Sequence, residues 1–107
     1  MNPNLDWREE LYQLLTGHLS EVPFDEGIRE MADIGAHDRE THDNSLAAIQ
    51  SAYDAGLSGD HTVVDVINRG NTRYVADVSS ATAFLKALRD TYLSAYEREL
   101  KRRDPGR

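Results

Sequence analysis

The sequence predicts a mainly α-helical fold, a small single-domain bundle of four or five helices. Three observations lead to this prediction. Apolar side chains recur every three or four residues in several segments, as they do on the buried face of an amphipathic helix. The chain has 107 residues, which is room for one modest hydrophobic core. It has no cysteine, so neither a disulfide framework nor a thiolate zinc site can substitute for that core.

The first predicted helix covers roughly residues 4–18, with Asn2 or Asn4 as its N-cap. Its apolar face comprises Trp7, Leu11, Leu14, Leu15 and Leu19. Gly17 and the stretch 20–23 end this helix, because the proline of that stretch removes a backbone donor and restricts the residue before it.

A short second helix follows over about residues 26–34, with Asp25 as its N-cap. The polar stretch 35–43 is interpreted as a loop or a weak helical turn. Asn44 or Ser45 then caps a third helix, which Gly56 and Gly59 end. The apolar stripe of that third helix consists of Leu46, Ile49, Tyr53 and Leu57.

Residues 60–78 allow two interpretations. Two β-branched segments around a glycine-containing turn would form a hairpin at about 61–78, which would make the fold α+β. Alternatively, Asp60 caps a short helix and Gly70 ends it in the left-handed C′ position. The helix is favoured, because a lone two-stranded hairpin is only marginally stable.

The last helix is the clearest prediction. Ser79 or Ser80 caps it, and it continues into the basic residues of 98–103, which suit the negative end of a helix dipole. Its apolar positions are Phe84, Leu85, Leu88, Tyr92, Ala95 or Tyr96, and Leu100. Residues 104–107 are predicted to be a disordered tail, so that 1–107 forms one helical domain.

Charge and targeting signals limit the function classes. The net charge is −7, and it is unevenly spread, with −11 in residues 1–66 and +4 in 67–107. Such an acidic domain repels nucleic acid and attracts basic protein surfaces. No apolar run of membrane-spanning length and no secretory signal is present, so a cytoplasmic protein with no membrane and no direct nucleic-acid partner is expected.

The sequence gives little support for catalysis. The couplets His37-Asp38 and His42-Asp43 contain metal-ligand residue types, but histidines five residues apart do not share a helical face. No cysteine, nucleophile elbow or phosphate-binding glycine loop is present. The expectation is therefore a binding protein with no catalytic residues, no metal and no cofactor.

Acidic residues are concentrated between positions 21 and 43, where eight acids stand against two arginines. Such a patch lowers stability through self-repulsion, which is easier to understand if the patch binds something. Tyr53 beside Asp54 is the type of aromatic anchor that interfaces favour. The predicted partner-binding residues are Asp25, Glu26, Glu30, Asp33, Asp38, Glu40, Asp43 and Tyr53.

In size, charge and helicity the chain resembles small bacterial immunity proteins that neutralise nuclease toxins, in particular those of contact-dependent growth inhibition systems. The resemblance implies a cognate toxin with a basic nuclease domain, one of tRNA-cleaving type for example, whose active or substrate-binding surface is blocked by acidic side chains. Two alternatives remain at this point. One is a small metal-dependent phosphohydrolase using the two His-Asp couplets. The other is a helical adaptor or regulatory subunit that self-associates through Tyr92 and Tyr96.

Overall fold

The computed structural model describes residues 6–70 and 73–103, and these form an all-α domain. The predicted caps Asn2 and Asn4, the tail 104–107 and residues 71–72 lie outside the described residues. The five α-helices are α1 (Trp7–Leu14), α2 (Phe24–His37), α3 (Arg39–Leu57), α4 (Thr62–Arg69) and α5 (Val78–Arg103). A π-helical turn, Leu15–Leu19, continues directly from α1.

The first two helices differ from the prediction at their ends. Asp6 caps α1, because its carboxylate accepts a hydrogen bond from the backbone N–H of Arg8 at 3.0 Å. Asp25, predicted as the N-cap of α2, is instead the second residue of that helix. Pro23 occupies the cap position, and Glu21 makes the preceding turn with a φ of 68°.

Residues 35–43, predicted as a loop or a weak helical turn, are helical except at Asp38, so the loop alternative is wrong. Helix α2 continues to His37, Asp38 interrupts it, and α3 begins at Arg39, well before the predicted caps Asn44 and Ser45. The cause is the Asp38 carboxylate, which accepts hydrogen bonds from the backbone N–H groups of Glu40 and Thr41 and starts a new helix there.

The helical interpretation of residues 60–70 is confirmed, and the hairpin is wrong. The Asp60 carboxylate accepts a hydrogen bond from the Thr62 N–H at 2.9 Å, where α4 begins. Gly70 ends α4, but with a φ of −69° rather than in the predicted left-handed conformation. Glycine is needed there for space, because an added Cβ would lie 2.7 Å from the Leu15 side chain.

Residues 73–77 have no regular secondary structure and lead into α5, which Asp77 caps in place of the predicted Ser79 or Ser80. The Asp77 carboxylate accepts a hydrogen bond from the Ser80 N–H at 2.8 Å. Residues from all five helices and the π-helical turn fill the core between them. Its largest fully buried side chains are Tyr92, Leu11, Leu15, Ile28, Ile49, Ile67, Leu85, Leu88 and Val63.

Candidate partner-binding surface

Seven of the predicted binding residues are carboxylates on α2 and on the first turns of α3. We call this set the acidic ridge: Asp25, Glu26, Glu30, Asp33, Asp38, Glu40 and Asp43. Five of them are exposed, and the other two, Asp33 and Asp43, keep 50% and 44% of their side-chain surface accessible. All seven carboxylates are therefore accessible at the surface.

The α2 part of the acidic ridge borders a groove against the C-terminal part of α5. Glu26, Glu30 and Asp33 line this groove together with Arg98 and Arg102. Asp25 lies on an adjoining groove, which also includes Arg29 and Arg98. The basic end of the chain therefore lies beside the acidic segment and offsets part of its charge.

Arg102 interacts with acidic residues on both α5 and α2. Its guanidinium forms an ion pair with Glu99, and this hydrogen-bonded pair raises the pKa of Arg102. The Asp33 carboxylate on α2 adds to the same effect.

Some members of the acidic ridge already have a partner within the domain. Glu30 is 2.8 Å from His18 Nδ1, and Asp43 is 3.1 Å from Arg39 Nε. Asp33 is 3.8 Å from His37 Nδ1. These contacts join the ridge to its own neighbours, and exposed pairs of this kind contribute little to stability.

Three other members, Asp25, Glu26 and Glu40, form no ion pair with any residue in 6–70 or 73–103. All three are exposed. They are the carboxylates of the ridge most available to an outside cation.

Asp38 also has a structural role, as the N-cap of α3, which was not predicted from the sequence. The Thr41 hydroxyl donates to it at 2.9 Å, and this bond, with that from the Thr41 N–H, lowers the pKa of Asp38. The carboxylate is exposed and remains charged at neutral pH. Both of its oxygens accept hydrogen bonds in the cap, so only their remaining lone pairs can contact a partner.

Tyr53 lies on a different part of the molecule from the start of α3. Ten residues separate it from Asp43, which is about 15 Å along a helix. Its ring is half-buried against the core, and the Arg89 guanidinium covers it at 4.7 Å from the ring centre. The structure does not bring Tyr53 together with the ridge acids at the start of α3, so its role in binding stays a prediction.

The four residues of the two His-Asp couplets are engaged separately. His37 Nδ1 lies 3.0 Å from the Asp33 carbonyl oxygen, Asp38 caps α3, and Asp43 pairs with Arg39. His42 is buried, and its Nδ1 lies 2.6 Å from the Tyr92 hydroxyl. Across the described part of the chain, no three His, Asp or Glu side chains are arranged to hold a metal ion.

The Tyr92–Tyr96 stripe is used inside the domain. Tyr92 is fully buried, and the Tyr96 ring stacks on His42 with 3.7 Å between ring centres and 9° between planes. Tyr92 is thus not available to the self-association face suggested for an adaptor, whereas Tyr96 is only partly buried. Among the described residues, the exposed aromatic side chain is Tyr74, which is 80% accessible and lies on the segment before α5.

Within the described residues, no helix combines the length and the apolar character needed to cross a membrane. Comparisons with protein-family models, with curated proteins and with solved structures find no match to this chain.

Proposed function

We propose that this protein is an immunity protein, which binds the basic nuclease domain of a cognate toxin and neutralises it without turnover. The observation that carries this proposal is the acidic ridge, and above all its three exposed carboxylates that form no ion pair within the described residues, Asp25, Glu26 and Glu40. They lie on two consecutive helices that fix their spacing.

The physical argument is competition for the same cations. A nuclease presents Lys and Arg to the phosphates of its substrate. Carboxylates presented on a rigid surface attract those groups, and the field of a domain with net charge −7 steers the two proteins together. An inhibitor seated on this surface keeps the nucleic acid away without any chemistry of its own.

The grooves beside α5 refine where such a partner would make contact. Arg98 and Arg102 already face Glu26, Glu30 and Asp33, so a partner arginine entering the groove meets repulsion as well as attraction. Asp25 lies on the adjoining groove with Arg29 and Arg98, whereas Glu40 lines neither groove. We therefore expect the contact to include the first turn of α3 as well as the exposed acids of α2.

The proposal predicts that a neighbouring reading frame encodes a toxin with a basic nuclease domain, and it is tested with that domain in purified form. Nucleic-acid cleavage by a fixed amount of that domain is measured while this protein is added in steps. A binding inhibitor abolishes cleavage at a sharp one-to-one end point. Full cleavage at a molar excess would overturn the proposal, as would complete inhibition at a small fraction of one equivalent, which indicates catalytic destruction of the domain.

A further inference from the structure

The outer side of the contact between α3 and α5 carries leucines that the core does not cover. Leu57 on α3 is 63% exposed, and Leu100 on α5 is 41% exposed. Leu46 on α3 and Leu93 on α5 are partly exposed. We call these four residues the seam face.

The alignment of the two helices places these leucines on one surface. Three contacts show that α3 and α5 run antiparallel: His42 with Tyr96, Gln50 with Arg89, and Gly56 with Thr82. By this alignment Leu57 lies beside residues 81–82 of α5, and Leu46 lies beside Leu93. The leucines of α3 are eleven residues apart and those of α5 are seven apart, spacings that return to the same side of a helix.

Two open charges stand on the same side of α5 as the seam face. Lys86 is seven residues before Leu93, and Glu97 is four residues after it. Both are exposed, and neither forms an ion pair with any residue in 6–70 or 73–103. The acid between them, Asp90, is already paired with Arg89 at 3.0 Å. The surface therefore offers one free cation and one free anion, on either side of its middle.

We propose that the seam face binds a second copy of this chain about a two-fold axis near residues 91–92, with the two α5 helices antiparallel. Lys86 and Glu97 lie equally far from this axis, about 8 Å along the helix on either side. Lys86 of each copy therefore meets Glu97 of the other. A two-fold contact joins a surface to itself, so the surface has to carry both signs of charge in matching positions, as this one does.

The leucines require the same axis. Leu100 lies about 13 Å from it along α5, and Leu57 lies at a level about 15 Å from it on the other side. Leu57 of each copy therefore lies against Leu100 of the other, and the Leu93 side chains of both copies meet at the axis. The apolar and the charged contacts thus agree on one arrangement of the two chains.

Two copies that each carry a net charge of −7 repel one another, which limits the strength of this contact. The repulsion is moderated because the acid-rich α2 lies along another side of α5, which carries Ser94 and Arg98. These residues are turned about 100° round the helix from Leu93 and Glu97. A contact of this small size holds only at micromolar concentrations or above, so dilute protein is monomeric. The inference goes beyond the proposed function and does not depend on a toxin.

Sedimentation equilibrium of the full chain, from micromolar to near-millimolar concentration, tests whether two copies associate. We expect the mean mass to rise with concentration towards that of two chains. In Leu93→Asp a carboxylate of each copy lies at the axis, so association should be at least about tenfold weaker. Circular dichroism checks that this variant keeps the fold. A wild type that is monomeric throughout, or a folded Leu93→Asp that associates like the wild type, would overturn the proposal.

Charge reversal tests the axis itself. Lys86→Glu and Glu97→Lys each bring like charges together in both ion pairs of the dimer, and each should weaken association by about tenfold. When the two variants are mixed, every such contact joins opposite charges again, so the mixture should associate about as strongly as the wild type.

The control is Glu9→Lys, which makes the same change of charge as Glu97→Lys but on α1. It lowers the net negative charge, so it should associate at least as strongly as the wild type. A mixture of Lys86→Glu and Glu97→Lys that associates no better than either variant alone would contradict the proposed axis, and so would equal weakening by Glu9→Lys.

Discussion

Glycine at position 35 allows α2 to lie directly against the His42–Tyr92 pair. An added Cβ would be 2.7 Å from the Tyr92 hydroxyl and 3.3 Å from the His42 Cβ. Gly17 is a contrasting position, because nothing lies within 4 Å of an added Cβ there. Both glycines lie within helical segments. A comparison of the same substitution at the two positions therefore distinguishes the effect of lost space from the effect of helix propensity.

We therefore expect Gly35→Ala to lower the free energy of unfolding by about 1–3 kcal/mol, the usual range for an overpacked core. Gly17→Ala should be neutral or stabilising by up to about 1 kcal/mol, because alanine loses less backbone freedom on folding. Urea unfolding at pH 7 measures both. Equal effects of the two substitutions would show that the close approach at Gly35 has no energetic weight.

At the same scale, Asp38 illustrates what the sequence did and did not allow. Its placement beside His37 suggested a metal ligand, whereas the spacing Asp38-x-x-Thr41 is also that of a helix cap closed by hydrogen bonds three residues apart. Local capping could be predicted from this spacing. The burial of His42 could not, because it depends on a tyrosine fifty residues away.

The cap should make Asp38 a pH-dependent contributor to stability. Its pKa lies below the ordinary 3.8 because the Thr41 hydroxyl donates to the charged form. The contribution is therefore present above pH 3.8 and is lost as the pH falls through the lowered value. Asp38→Ala should lower the urea midpoint at pH 7, Asp38→Ser should restore part of it, and the gap between Asp38→Ala and wild type should shrink below pH 3.8. A gap independent of pH would contradict this role.

Among the elements, α3 shows why boundaries were harder to predict than helices. The sequence places the start of α3 at Asn44 or Ser45, although His42, Ser45, Ile49 and Ala52 already form a buried stripe at helical spacing. The sequence prediction has His42 in the polar stretch and Ser45 at the cap, because polar side chains at these positions are typical of loops and helix caps. Their burial depends on partners from other helices, and no local pattern contains that information.

The segment 73–77 before α5 forms two hydrogen bonds with one side chain of α4. The Asn68 amide donates to the Val75 carbonyl oxygen at 3.0 Å and accepts from the Val75 N–H at 2.7 Å. These bonds replace the strand pairing that the hairpin interpretation required. Val75 is buried by this arrangement, while Arg73 and Tyr74 on the same segment are exposed.

Asn68→Ala should release this segment. Loss of the two bonds, each worth about 0.5–1.5 kcal/mol, should raise the rate of trypsin cleavage after Arg73 by about tenfold or more. Limited proteolysis followed by mass spectrometry measures the rate at this site. Asn44→Ala on α3 is the matched control and should be cleaved at the wild-type rate. No difference between the two variants would mean that Asn68 does not restrain the segment.

For the whole molecule, the important feature is how folding arranges a chain with an acidic first part and a basic last part. Net charge and its asymmetry could be predicted from composition, and so could the surface position of the acidic residues. The position of Arg98 and Arg102 beside the α2 acids could not, because it depends on how α2 packs against α5. That packing brings the arginines of α5 beside the acids of α2 and leaves Glu40 on α3 outside both grooves.

We propose that the ridge carboxylates without an ion pair, Asp25, Glu26 and Glu40, attract a basic nuclease domain. The most direct test of this proposal is the association rate constant with the basic domain that a neighbouring reading frame is expected to encode, measured by stopped flow over a range of ionic strengths. The test variant is Asp25→Asn/Glu26→Gln/Glu40→Gln. The control, Glu9→Gln/Asp65→Asn/Glu97→Gln, removes the same charge from exposed positions on α1, α4 and α5.

We expect the ridge variant to lower the association rate by about tenfold at low salt, with a flatter dependence on ionic strength. The control, with the same net charge, should keep most of the wild-type rate and salt dependence. If both triple variants slowed association equally, net charge alone would explain the attraction. If the ridge variant bound as fast as wild type at every salt concentration, the partner surface would lie elsewhere and the proposal would be wrong.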